Sequence, residues 1–335
     1  MKRLRMLLWL GLIGLLMACD GGGGTAVSPE TNSQGGTIYF ILQESRRQAL
    51  LRYDVAADSV ESLFEVPGNA WISHMAASPD GSQIALTYAP SPGENEIQFG
   101  YSSLYLLLAD GRSEPRPLIE RTAEQELFFN PTWSPDGAWL YYSHVIPLDE
   151  ETFTFVTTLE RLNLAAGTTE VLAENAIWPR VSPDGRFLTY VNIDRDSLAA
   201  ELVVAEADGS NPTVLVTRNR FVTLDSPFFS ADGEWLYFSA VVEQTSSATW
   251  WEQLLGIQVA AAHNLPSNWW RVPVAGGEPE QLVAAARVGQ YGVLSSDGRF
   301  IAFSSQSGIF VMQPDGSDVQ QLLDQSASDS LSWTP

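Results

Sequence analysis

The sequence predicts an all-β fold, a six-bladed β-propeller of four-stranded antiparallel blades, and three observations predict it. A Ser-x-Asp-Gly turn recurs five times between short apolar strands: "ASPDGSQIALTY" from Ala77, "WSPDGAWLYYS" from Trp133, "VSPDGRFLTYV" from Val181, "FSADGEWLYFS" from Phe229 and "LSSDGRFIAFS" from Leu294. A second tight turn recurs in step with it, at 109–111, 165–167, 207–209, 275–277 and 314–316. The chain then ends at "SWTP", 332–335, which reads as the opening of a sixth copy.

Each part of the repeat has a local reason. In the first turn, Pro presets φ near about −65°, Asp bonds its own backbone and Gly accepts a positive φ. That closes a hairpin. The alternating run that follows, such as "WLYYS" or "FIAFS", is the second strand. A third alternating strand ("LYLLL", "ERLNL", "ELVVAE", "WWRVPV", "IFVMQ") leads into the second turn, and a short apolar strand ends the unit. The turn serines stand at 78, 134, 182, 230 and 295, so the spacings are 56, 48, 48 and 65. A four-stranded unit repeating every 40–50 residues or so has the period of a propeller blade, and the wider spacings mark loop insertions. The competing fold, a β-sandwich with recurrent turns, predicts no regular pairing of two turn types.

Five complete units start near 72, 128, 176, 224 and 289. Residues 37–66 supply three further strands, with an "AAD" turn at 56–58, but lack a first strand. The C-terminal "SLSWTP" supplies it. The termini therefore share a sixth blade, which closes the ring and leaves no open sheet edge.

This pattern resembles the TolB-like family of six-bladed propellers, whose WD-repeat-like units carry Ser-Pro-Asp-Gly. The resemblance covers about residues 37–335. It implies the fold and a habit of binding partners at one face. TolB has an additional N-terminal α/β domain and is soluble in the periplasm; this chain has neither trait on our reading, so the Tol–Pal role does not carry over.

Residues 1–18 read as a lipoprotein signal peptide. Lys2, Arg3 and Arg5 precede the run "MLLWLGLIGLLM", too short for a stable membrane span. Leu16, Met17, Ala18 and Cys19 resemble the bacterial lipobox, which implies lipidation of Cys19, the single cysteine. An ordinary signal peptide with a coincidental cysteine is the alternative. Residues 19–36 are Gly-, Ser- and Pro-rich and read as a flexible tether. Removing residues 1–18 takes away three cations and no acids, so the formal charge moves from −22 to −25. Such a surface repels nucleic acid and anionic headgroups. The lipid would hold the protein at the membrane. The expected location is exported and membrane-anchored, periplasmic or on the outer face of the cytoplasmic membrane. Asp20 resembles an inner-membrane retention signal of some Gram-negative bacteria.

Two faces follow from the blade. The first and third turns share one and are uniform. The strand 2–3 loops and blade links share the other, and it holds the variation: 89–102, 144–156, 192–199 and 241–268. Function concentrates in variable loops on a rigid scaffold. Four residues before each turn serine lie His74, Asn130, Trp178, Ser226 and Tyr291, and Ser330 holds the aligned place in the C-terminal strand; the six are expected to ring one mouth of the channel as a binding ring, with Arg180 deeper, and ordinary strand-entry residues are the alternative. The longest insertion, about 241–268, predicts a helix over 249–263: Thr249 and Glu252 have capping-box spacing and Pro266 stops it. Trp250, Trp251, Leu254, Trp269 and Trp270 make it a candidate docking element, or else they pack it onto the propeller.

Catalytic signals are weak. There is no Gly-x-Ser-x-Gly elbow, no calcium loop and no phosphate-cradling loop. His74, His144 and His263 are the only histidines and share no ligand spacing, although convergence near the variable face would make a metal-dependent lyase conceivable. The reading is a monomeric protein-binding scaffold without cofactor or metal. The alternative is a carbohydrate-active, lyase-like or other small-substrate enzyme at the channel mouth.

Overall fold

The computed structural model describes residues 35–44, 47–92, 101–149, 154–218, 220–242, 266–288, 291–325 and 327–335. Among them are 24 strands in six four-stranded sheets and no helix. β1 (Thr37–Glu44), β2 (Arg47–Asp54) and β3 (Ser59–Glu65) come first. Blade 1 is β4 (Trp71–Ala77), β5 (Gln83–Ala89), β6 (Ser103–Leu108) and β7 (Arg116–Ile119). Blade 2 is β8 (Leu127–Trp133), β9 (Trp139–Asp149), β10 (Thr154–Asn163) and β11 (Thr168–Glu174). Blade 3 is β12 (Ala176–Val181), β13 (Phe187–Ile193), β14 (Ala200–Glu206) and β15 (Thr213–Val216). Blade 4 is β16 (Thr223–Phe229), β17 (Trp235–Val241), β18 (Pro266–Pro273) and β19 (Glu280–Val288). Blade 5 is β20 (Tyr291–Leu294), β21 (Ile301–Ser305), β22 (Gly308–Met312) and β23 (Gln320–Leu323). Blade 6 joins the C-terminal β24 (Ala327–Thr334) to β1, β2 and β3.

The ring closes as the sequence implies. β24 runs antiparallel to β1, with Thr37 opposite Thr334 and Ile38 opposite Trp333. The innermost strands touch in cyclic order, β4, β8, β12, β16, β20, β24 and back to β4.

The repeated turn is held by its serine. In blade 3, Ser182 N–H donates to the Phe187 carbonyl at 2.8 Å and the Phe187 N–H donates to Ser182 Oγ at 2.9 Å. Ser182 Oγ donates in turn to Asp184 Oδ1 at 2.6 Å, and Gly185 N–H closes on the Ser182 carbonyl at 2.9 Å. The same set recurs at Ser78, Ser134, Ser230 and Ser295. Each serine is buried, so its hydroxyl satisfies strand-end groups that water cannot reach. The glycine takes φ of 68 to 74° in all five copies, where a side chain would be strained.

The core is six wedges, one per blade interface. Strand 2 of each blade has side chains pointing alternately into the two neighbouring wedges. Tyr142 joins Phe128 and Leu104 between blades 1 and 2, while Tyr141 joins Leu188 and Val203 between blades 2 and 3. Both faces of every sheet are buried, which is why "WLYYS" reads as an almost unbroken apolar run.

Candidate functional site

The channel ring is assembled by bulges. On β8, Asn130 and Pro131 together oppose Tyr142. On β12, Trp178 and Pro179 oppose Tyr190, and on β16, Ser226 and Pro227 oppose Phe238. Two residues against one is a β-bulge, and a bulge is where a strand tolerates proline's missing N–H. Asn130, Trp178 and Ser226 take φ of 48, 58 and 50°, which re-aims their side chains.

The six predicted residues do come together. Small polar side chains of blades 6, 2 and 4 cap edge N–H groups of blades 1, 3 and 5. Ser330 Oγ accepts from Met75 at 3.0 Å, Asn130 Oδ1 from Trp178 at 3.4 Å and Ser226 Oγ from Gly292 at 3.1 Å. The large rings of blades 1, 3 and 5 meet across the axis: His74 to Trp178 at 5.9 Å and Trp178 to Tyr291 at 5.2 Å between centroids. Trp178 and Tyr291 are each 7% exposed, and His74 is partly exposed. The ring is thus a plug of aromatic and polar side chains inside the channel rather than an open rim.

Arg180 lies two residues further along β12, towards the turn face. It is surrounded by protein yet keeps some solvent contact, as a residue of a channel wall does. Burial brings its pKa down to about 10. The guanidinium therefore stays charged at neutral pH.

A second cluster stands on the variable-loop side of blade 2, and sequence reasoning missed it. His144, on β9, has its ring flat against Phe128, with centroids 4.1 Å apart. Its Nε2 lies 2.7 Å from Glu126 Oε1 and its Nδ1 lies 2.9 Å from Glu160 Oε1. The three side chains are 12%, 7% and 9% exposed. Glu126 also accepts from the Thr122 and Ala123 backbones, and Glu160 accepts from Tyr142 and Thr158 hydroxyls. Burial pushes the imidazole pKa down, but the two carboxylates outweigh it and hold the pKa above the ordinary value. Burial likewise pushes both glutamates up, and their hydrogen bonds carry them below the usual range. The signal was present in the sequence: Glu160 is a lone acid inside the apolar strand "TLERL".

This geometry bears on the metal idea. The two carboxylates take opposite nitrogens of the His144 ring, so they cannot converge with it on one ion. His74 packs against Trp178 and Phe129. His263 lies outside the described residues. Among the described residues no group of three His, Cys, Asp or Glu side chains gathers as metal ligands.

Other expectations fall differently. Within segment 144–156 the described residues are strand: β9 runs to Asp149 and β10 starts at Thr154, with the two paired up to those residues. Trp269 and Trp270 belong to blade strand β18, not to an exposed docking element. Trp269 is 1% exposed, wedged between Phe228 and Phe303 at 5.7 and 6.0 Å. Trp270, partly buried, points to the opposite wedge and meets Phe221 edge-on at 4.9 Å. Alternation along a strand buried on both faces requires this. Cys19, Trp250, Trp251, Leu254 and the expected helix over 249–263 lie outside the described residues.

The variable face carries exposed apolar side chains on four successive blades. They are Trp71 (38% exposed) on blade 1, Leu148 (63%) and Phe155 (51%) near the blade 2 hairpin tip, Leu198 (49%) on blade 3, and Val222 (48%) and Val242 (42%) on blade 4. Arg195 Nη2 donates to the Phe155 carbonyl at 2.7 Å, tying the blade 3 loop to that hairpin. On the turn face, a groove of about 620 Å³ opens between blades 3 and 4, with Glu206, Glu234 and Trp235 in its lining.

No family model and no curated protein matches this sequence. Solved structures do match its fold. TolB from Acinetobacter baumannii aligns over 90% of this chain and 67% of its own, with a TM-score of 0.64 and 13% identity. A TolB-type protein from Agrobacterium tumefaciens aligns over 88% and 90%, with a TM-score of 0.60 and 20% identity. A propeller in a nidogen/laminin complex aligns over 90% and 98%, with a TM-score of 0.58 and 11% identity. At these identities the likeness is one of fold: this chain has the six-bladed propeller architecture of TolB.

Proposed function

We propose that this chain is an exported propeller, held at the cell envelope by lipid on Cys19, that binds a protein partner on the face opposite the Ser-x-Asp-Gly turns. The observation that carries the reading is the run of exposed apolar side chains on that face, from Trp71 through Leu148, Phe155 and Leu198 to Val222 and Val242. Large apolar groups left in water on a rigid scaffold mark interaction surfaces. Val60, Val171 and Val214, the exposed valines elsewhere, sit singly on fourth strands at the rim. The occurrence of a similar propeller in a nidogen/laminin complex and the shared TolB architecture support the same reading. Trp250, Trp251 and Leu254 of the insertion would extend this face, and His74 is the ring residue within a partner's reach. The reading includes no catalytic step, cofactor or nucleic acid, and a monomeric propeller.

Crosslinking in native membranes tests it. Leu148→Asp with Phe155→Asp should lose the crosslinked partner while leaving the melting temperature near that of the parent. An unchanged partner set in that variant and in Trp250→Ala/Trp251→Ala would overturn the docking face. Separately, palmitate label that persists in Cys19→Ser would overturn the lipid anchor.

A further inference from the structure

The docking face leaves one charged group of the channel unexplained. This chain has 40 acids and 18 Lys and Arg residues, so arginines readily find carboxylates. Arg47, Arg52, Arg161, Arg218, Arg220, Arg271 and Arg299 each sit on one, and Arg112, Arg116, Arg121, Arg186 and Arg195 are exposed to water. Arg180 is in neither position. It stands on an innermost strand, partly buried, and among the described residues no hydrogen-bond or ion-pair partner faces it. Burial lowers its pKa, and among the described residues no acid offsets that shift. Its counterparts two residues before the other turns are Ala76, Thr132, Phe228, Val293 and Ser332, none of them charged. On adjoining β8, Asn130 Nδ2 is a second buried donor without an acceptor among the described residues. A partly buried guanidinium without a counter-charge is stabilised by an anion that reaches it.

We propose that the channel binds a small anion carrying a single carboxylate or oxyanion group, held by the Arg180 guanidinium and admitted from the turn face. The direction follows from the plug. His74, Trp178 and Tyr291 close the channel on the variable side of Arg180, leaving the mouth framed by the Ser-x-Asp-Gly turns. Five turn aspartates, Asp80, Asp136, Asp184, Asp232 and Asp297, are held ionised there by serine hydroxyls and backbone N–H groups. They repel every anion, polyanions most, so a compact monoanion is the species least hindered on its way to the arginine. This site is independent of the protein-docking face, which lies at the other end of the channel.

Calorimetric titration of the full mature chain with acetate, inorganic phosphate and chloride, in zwitterionic buffer of low ionic strength, tests the proposal. Acetate or phosphate should give a saturable one-site isotherm that chloride does not match, and the melting temperature should climb with the logarithm of that anion above its Kd. Arg180→Met should abolish the isotherm and melt higher than the parent without added anion, because the uncompensated buried charge has gone. Should that variant not fold, Arg180→Lys keeps the charge but loses the planar fork, and binding should weaken by about tenfold, the worth of one charged hydrogen bond. The proposal is overturned by the absence of saturable binding for both acetate and phosphate, or by an affinity that Arg180→Met or Arg180→Lys leaves unchanged.

Discussion

Replacing His144 with leucine removes the one cation from the space between Glu126 and Glu160. The carboxylates stay 7% and 9% exposed, with nothing positive left at the 2.7 and 2.9 Å contacts. Breaking a buried ion pair by deleting one partner costs about 3–5 kcal/mol, because the remaining charge is stranded. The cost carries a pH signature. His144 has its folded pKa raised, so its contribution is complete below the unfolded value, about 6.5, and fades as pH rises through the folded value. Both glutamates have folded pKa values lowered, so their contribution is present above about 4.3 and fades as pH falls. The wild-type advantage should therefore peak between roughly pH 4.5 and 6.5, persist until His144 loses its proton, and shrink at both extremes. Urea denaturation followed by tryptophan fluorescence, run from pH 3.5 to 9, gives the difference directly. Phe303→Leu serves as control: it removes a buried ring from the wedge between blades 4 and 5 and no charge, so its cost should not vary with pH. A difference for His144→Leu that is flat with pH, or largest at pH 9, would refute the reasoning.

Three further outcomes follow from the geometry. In Gly292→Ala the new Cβ would sit 2.4 Å from Trp269 Cη2 and 2.8 Å from Phe228 Cε1, so the variant should lose about 1–3 kcal/mol in chemical denaturation and change its near-ultraviolet tryptophan signal. Ser182→Ala should cost about 1–3 kcal/mol, since the Phe187 N–H loses its acceptor, and NMR titration should show the Asp184 pKa rising towards its ordinary value. Deleting 327–335 removes β24 and bares the β1 edge, so the sharp melting transition should disappear; a permutant that links residue 335 to residue 36 and opens the chain between β1 and β2 should keep it.

The scaffold was legible because it repeats. Serine, aspartate and glycine at fixed offsets specify a turn through contacts within six residues, and five copies at blade spacing leave few architectures. The position of the channel ring followed by counting back from the turn serine, and the structure assembles it there. The counting did not reveal that Asn130, Trp178 and Ser226 would turn inward. The warning was the proline that follows each, at 131, 179 and 227, in the middle of a strand. Trp269 and Trp270 were misread for a related reason: a tryptophan pair beside an insertion looks exposed until the neighbouring strand shows that both sheet faces are covered.

By itself, the sequence determined the blade, the number of blades and the joining of the termini, since all three rest on local turn chemistry and period. Only the tertiary structure decided which side chains meet across the ring. The clamp on His144 joins residues 126, 144 and 160, and the plug joins residues 74, 178 and 291. These contacts depend on how six sheets converge on one axis, which no local pattern encodes.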